Sequence, residues 1–311
     1  SLHRTLLGLQ ARLGHPGVAP QGQAVLQQRL AGAQEDVAFA CQHGGQARGI
    51  QAPLPVRRRL RVAAQGRAVA KVRTLRRQLD ELLVIGQGGA VAAAPPGTVF
   101  VLCPTMPPDD AVAIAADLTT AGMFAIDAPV SGGQVGAEAG TLAFMVGASD
   151  EVYAEVLPLL EVMGARIVHC GAAGLGQAAK ICNNMVLGVT QIAVAEAFVL
   201  GERLGLQHQA LYDVMSKASG QCWSLTTNCP VPGPVPGSPA NRDFQPGFAG
   251  ALMAKDLGLA LAALDEQDVA ADLGRLAQAK YAEYAAGEGA ARDFSGIIED
   301  IRASHTDRSE A

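Results

Sequence analysis

The run from Gln177 to Leu204 contains no proline, and a helix of that length extends roughly 40 Å at 1.5 Å per residue. That is longer than a small domain needs, so the helix is expected to join two domains. On its N-terminal side, short apolar runs alternate with helical spacing. Thr98 to Cys103 reads as a buried strand ending at Pro104, and Asp109 to Ala121 as a helix with acids near its start. Phe124 to Val130 reads as a strand opening into Ser131-Gly132-Gly133, and Thr141 to Val146 and Ile167 to Cys170 as two more, with a helix from Glu151 to Met163 between them. Such alternation implies an α/β layered sheet. Beyond Gly176 only helices are expected: Gln177 to Leu204, Phe248 to Leu264, Val269 to Ala286 and Phe294 to Ala303. An ordered, proline-rich irregular loop is expected over Asn228 to Gly247.

The 311 residues are 49% hydrophobic, enough to fill the cores of two domains, and a wholly disordered chain is not expected. No run matches the uncharged apolar stretch of about 18 residues that a membrane span requires, and a cytoplasmic location is the expectation. Six scattered cysteines without a C-x-x-C pair suggest reduced thiols rather than a metal site or a disulfide scaffold.

The net charge of -5 hides a split at about residue 80. Residues 1–80 hold 13 Lys and Arg against 3 Asp and Glu, while residues 81–311 hold 11 against 26. The first part is rich in Arg and Gln, and Phe39 is its one aromatic residue. Such a basic segment can bind nucleic acid, but no recognition helix, zinc pattern or aromatic RNA-binding motif accompanies it, so neither a nucleic-acid nor a membrane partner is expected. Helices over Val25 to Ala40 and Val69 to Val84 are conceivable, but neither has a clear amphipathic stripe with caps.

The glycine-rich turn Gly171 to Gly176 leads into the long helix, where Lys180 and Asn184 stand four residues apart on one face. A lysine among apolar neighbours can exchange a proton near neutrality, whereas the same lysine on an amphipathic helix can simply reach solvent. Ser131-Gly132-Gly133 reads either as a strand-to-helix turn or as an anion cradle of backbone N–H groups. Trp223, the single tryptophan, is expected to fill the core rather than to shape a pocket.

Three segments, DAPVSGG (Asp127 to Gly133), GxxGxGxxxKxxxN (Gly171 to Asn184) and LMAKDL (Leu252 to Leu257), resemble in order and spacing the β-hydroxyacid dehydrogenase family. The resemblance covers about residues 84–302 and implies a Rossmann-type NAD-binding domain followed by an all-α domain, with the active site at their junction and a homodimeric or homotetrameric assembly. It also implies roles: Lys180 as the acid/base group, oriented by Asn184; Ser131, Gly132 and Gly133 on the substrate carboxylate; Thr105 and Lys255 at the NAD cofactor. Without it, Lys255 beside Asp256 would read as a helix-surface charge. SGQCWS (Ser219 to Ser224), the proline-rich loop and DFSGII (Asp293 to Ile298) resemble the branch that oxidises 3-hydroxyisobutyrate in valine breakdown. Tartronate semialdehyde, glyoxylate and succinic semialdehyde are the alternative substrates within the family.

The opening departs from that pattern. Members of the family begin with a strand and a GxGxMG turn, where the pyrophosphate meets a helix N-terminus. Residues 1–80 contain no Gly-x-Gly triplet. Their Arg, Gln, Ala and Gly enrichment is what a GC-rich coding sequence yields when read out of frame, and the alternative is a basic replacement domain. The expected organisation is an atypical segment over 1–82, the remainder of the NAD-binding domain over 83–172, a helical substrate and dimerisation domain over 173–303, and a tail over 304–311. A chain that lacks the dinucleotide loop and is catalytically dead is the non-enzymatic alternative.

Overall fold

The computed structural model describes residues 37–41, 62–64 and 90–304. The Val69 to Val84 helix, most of the atypical opening and most of the tail lie outside these residues. Of the Val25 to Ala40 helix, the described end is strand instead, because Val37–Cys41 (β1) pairs in parallel with Val62–Ala64 (β2) and with Val99–Leu102 (β3).

The other elements of the first part are Ala90–Ala93 (α1), Pro108–Thr120 (α2), Phe124–Asp127 (β4), Val130–Ser131 (β5), Gly133–Ala139 (α3), Leu142–Gly147 (β6), Asp150–Met163 (α4) and Gly164–Gly171 (β7). The sheet order is β2-β1-β3-β4-β6-β5, with β7 added to β6. The β2-β1-β3-β4 portion is parallel, β4 and β5 meet β6 antiparallel, and β7 is parallel to β6. The single strand expected over Phe124 to Val130 is two short ones, because Ala128-Pro129 interrupts the ladder and a proline nitrogen has no hydrogen to donate.

All four residues of β3 are buried, as in a strand covered on both faces. Val99 and Val101 face one core, with Ile126, Phe144 and Val146 and with Val152, Val156 and Leu160 of α4. Phe100 and Leu102 face the other, with Ala111, Ile114 and Leu118 of α2. The period-two alternation of the strand thus supplies two layers of helix at once. Helix α2 starts on Pro108 with Asp109 and Asp110 in its first turn, and α4 is capped by Ser149, whose hydroxyl accepts the Val152 N–H.

The long helix is Leu175–Arg203 (α5), and the two compact units of the chain divide within it, between Lys180 and Ile181. By length and composition α5 is, among the described residues, the one helix apolar enough to cross a membrane, but half of that window is buried inside the protein. Ile192, Val194 and Phe198 are covered by the second unit's own residues, including Met253, Leu257, Leu225 and Ile298. Leu175, Val186 and Leu200 of the same helix stay exposed. The second unit continues with His208–Met215 (α6), Trp223–Thr226 (α7), Gly250–Glu266 (α8), Asp272–Ala286 (α9) and Ile297–Ala303 (α10). Trp223 does not fill the core: it is 52% exposed, because the four-residue α7 turns Ser224 and Leu225 inward instead.

The proline-rich loop is ordered around one carboxylate. Asp293 Oδ1 accepts from the Asn228 amide and from the Ser295 N–H and hydroxyl, and Oδ2 accepts from the backbone N–H of Gly247 and Phe248. Both ends of the loop are therefore fastened to the DFSGII stretch. At the far end of α5, Glu202 accepts from Arg302 of α10 and meets His208 at 2.8 Å, and Arg302 holds its carboxyl below the usual range.

Candidate active site

Within the first unit, the chain beyond the carboxyl ends of β3 and β4 is fastened to the start of α5. Asp127, at the carboxyl end of β4, is 2% exposed and accepts the Gly174 N–H at 2.7 Å and the Gln177 N–H at 2.8 Å. It thereby serves the orphan donors of the first helical turn. Burial pushes its pKa up, against the lowering pull of these backbone N–H groups. The approach is so close that a Cβ on Gly176 would sit 2.8 Å from both the Asp127 carbonyl and its Oδ2, so the glycine is required by space.

Gln177 adds a second tie. It is fully buried, its Nε2 donates to the Pro104 carbonyl at 2.8 Å, and its Oε1 accepts the Met106 N–H at 3.1 Å. These two bonds bracket Thr105, which is half-buried just beyond the carboxyl end of β3. Ligands of open α/β sheets bind beyond the carboxyl ends of the strands, and this is where Thr105 and Ser131 stand. Gly132 and Gly133 follow, exposed and with φ of 122° and 59°, values that favour glycine. Lys180, one turn after Gln177, is only 7% exposed, which is not the placement of a lysine that reaches freely for solvent.

In the second unit, Asn184 is 1% exposed and donates from Nδ2 to Asp256 Oδ2 at 2.6 Å, while its own Oδ1 accepts from Asn183 at 3.0 Å. Lys255 Nζ lies 3.0 Å from Asp256 Oδ1 as an ion pair without hydrogen-bond alignment, so that this buried oxygen has no hydrogen-bond partner. The Lys255 side chain keeps 29% exposure. Asp127, Gln177 and Asp256 had no role in the sequence reading. The signal for Gln177 and Asp256 was faint: a polar residue three before Lys180 on an apolar helix, and an acid next to Lys255.

Two family models match. One, described as the NAD binding domain of 6-phosphogluconate dehydrogenase, covers residues 61–171, and the other, described as NAD-binding of NADP-dependent 3-hydroxyisobutyrate dehydrogenase, covers residues 174–301. A probable 3-hydroxyisobutyrate dehydrogenase of Mycobacterium bovis is 55% identical over 213 residues, 68% of this chain and 72% of the relative. The chain belongs to the 3-hydroxyisobutyrate dehydrogenase family. This is a family of oxidoreductases that use NAD, and the Rossmann-type domain followed by a helical one is its fold. An NAD-dependent L-serine dehydrogenase of Pseudomonas aeruginosa is 41% identical over 240 residues, 77% of this chain and 80% of that one. A structure of the Mycobacterium tuberculosis 3-hydroxyisobutyrate dehydrogenase with L-serine superposes with a TM-score of 0.71 at 41% identity, covering 96% of this chain and 95% of the other. The longer superposition adds almost no identity, since 41% of 96% of 311 residues is nearly the same count as 55% of 213.

Proposed function

We propose that the chain's machinery is built for oxidation of 3-hydroxyisobutyrate to methylmalonate semialdehyde, the valine-breakdown reaction. The observation that carries this reading is Lys180, a buried lysine on a helix whose first turn is fastened to the carboxyl ends of both β3 and β4. The Ser131 hydroxyl and the N–H groups of Gly132 and Gly133 take the substrate carboxylate. Lys180 Nζ takes the proton of the substrate hydroxyl as the C–O bond gains carbonyl character, and returns it in the reductive direction. Asn184 donates an N–H toward the same oxygen and holds it near Lys180. NAD, when bound, supplies the hydride acceptor for the hydrogen leaving the carbinol carbon.

Thr105, on backbone fixed from both sides by Gln177 just beyond β3, would meet the nicotinamide end of that cofactor, and Lys255 of α8 would be a second contact. The pyrophosphate end has no such match, because residues 1–80 hold no Gly-x-Gly turn. We take 83–172 and 173–303 as the working domains, with homodimers or homotetramers built on the second. Leu200 of α5, Leu204 just after it, and Leu273 and Leu276 of α9 leave apolar surface there. Light scattering at micromolar concentration is expected to give a dimer or larger, and a monomer contradicts the assembly.

A second reading replaces the substrate's methyl group by an ammonium, making it L-serine. It is favoured by the serine dehydrogenase relative and by the serine present in the tuberculosis enzyme structure. Steady-state kcat/KM for the two acids, measured on the chain with a family-type opening restored, decides between them. A higher value for serine overturns the first choice.

A further inference from the structure

The Asn184 amide is held with one defined polarity. Asp256, as a carboxylate, can only accept, so the Asn184 group facing it at 2.6 Å must be the NH2 end. Asn183 donates to the opposite end at 3.0 Å, so the two contacts agree. Both Asn184 and Asp256 are almost completely buried, and a charge-assisted bond between such groups is short and strong. Asp256 keeps a counter-charge through Lys255 at 3.0 Å. An amide flipped by half a turn would point its carbonyl at the carboxylate, a repulsion between two acceptors in a buried place.

We infer that Asp256 is a positioning residue that fixes the Asn184 amide so that its second N–H, rather than its carbonyl, is offered to the reacting oxygen. The inference rests on the proposed role of Asn184 beside Lys180. A donor there stabilises negative charge developing on the substrate oxygen, and an acceptor would oppose it. Asp256 needs no contact with substrate or cofactor to act in this way.

Two variants separate positioning from plain structural support: Asp256→Asn, and the exchanged pair Asn184→Asp with Asp256→Asn. The exchanged pair can rebuild a buried amide–carboxylate bond but leaves no amide at position 184. In the chain with a restored opening, Asp256→Asn is expected to lower kcat roughly tenfold to hundredfold with little change in KM. The exchanged pair is expected to recover the thermal midpoint of the parent but not its kcat. Recovery of kcat together with the midpoint, or an Asp256→Asn kcat within threefold of the parent, overturns the inference. Lys180→Ala is the control: if it stays active, the proposed function fails, whereas if it is inactive and Asp256→Asn is not impaired, only the present inference fails. In the unaltered, nitrogen-15-labelled chain, the Asn184 side-chain amide is expected to show one downfield, slowly exchanging proton. Two rapidly exchanging protons at ordinary positions overturn the inference even if the variants do not fold.

Discussion

Residues 1–80 and residues 98–303 differ in charge balance and in the motifs they carry, although β1 and β2 join the same parallel sheet as β3 and the NAD-binding match begins at residue 61. The first stretch carries 13 basic against 3 acidic residues and no Gly-x-Gly turn. The second carries three family motifs, and the structure ties two of them together through Asp127 and Gln177. The near-constant count of identities between the shorter and longer comparisons with mycobacterial relatives fits the same divide. The contrast teaches that the phosphate-binding half and the reacting half of a dinucleotide site are specified by separate stretches of chain.

The largest effect expected is on cofactor binding. Affinity for the dinucleotide rests mainly on backbone donors at the glycine turn. The chain as it stands is therefore expected to show no NAD(H) binding by calorimetry at millimolar concentration, and no hydroxyisobutyrate oxidation. Restoring a Gly-x-Gly-x-x-Gly strand-turn-helix at the opening is expected to recover both. Saturable NADH binding by the unaltered chain would erase the contrast between the two stretches.

Lys180→Ala in the restored chain isolates the reacting half. Turnover is expected to fall by about 10²–10⁴-fold, the usual worth of general acid/base help, with NADH affinity nearly unchanged. Activity within threefold of the parent would remove Lys180 from that role.

Two smaller effects test whether the second stretch holds itself together without the first. Glu202→Gln weakens the clasp between α5 and α10 and is expected to cost about 1 kcal/mol in denaturant unfolding, a figure reduced for partial exposure. Because Arg302 lowers the Glu202 pKa, the stabilisation is present above the ordinary glutamate value of 4.5 and is lost as pH falls through the lowered one. An equal loss for Glu202→Gln at pH 7 and at strongly acid pH would exclude the clasp.

Asp127 has the opposite slope. Burial lifts its folded pKa above the unfolded value of 3.8, so its contribution is complete below that value and declines as pH rises through the folded one. The parent is expected to lose stability relative to Asp127→Asn over that window. A parallel pair of stability curves would show that the backbone N–H groups cancel the burial.

Periodicity and punctuation alone located most elements after residue 98. The four buried residues of β3, the faces of α2 and α4 and the proline-free α5 all lie where their apolar spacing puts them. The candidate site was partly legible, through motifs that place Lys180, Asn184, Ser131 and Lys255 near turns and helix starts. The order of charge along the chain, with its break near residue 80, is also purely a property of sequence.

Tertiary structure decided the rest. Gln177 reaches Pro104 and Met106 across 73 and 71 residues, Asp127 reaches Gln177 across 50, and Asn184 reaches Asp256 across 72. No local pattern records such partners, because a buried polar side chain is satisfied by whichever backbone or side chain the fold brings beside it. Trp223 shows the same limit in reverse. Its size favours burial, yet the short turn that carries it buries Ser224 and Leu225, and the direction of a side chain on an irregular segment is set by packing rather than by hydrophobicity.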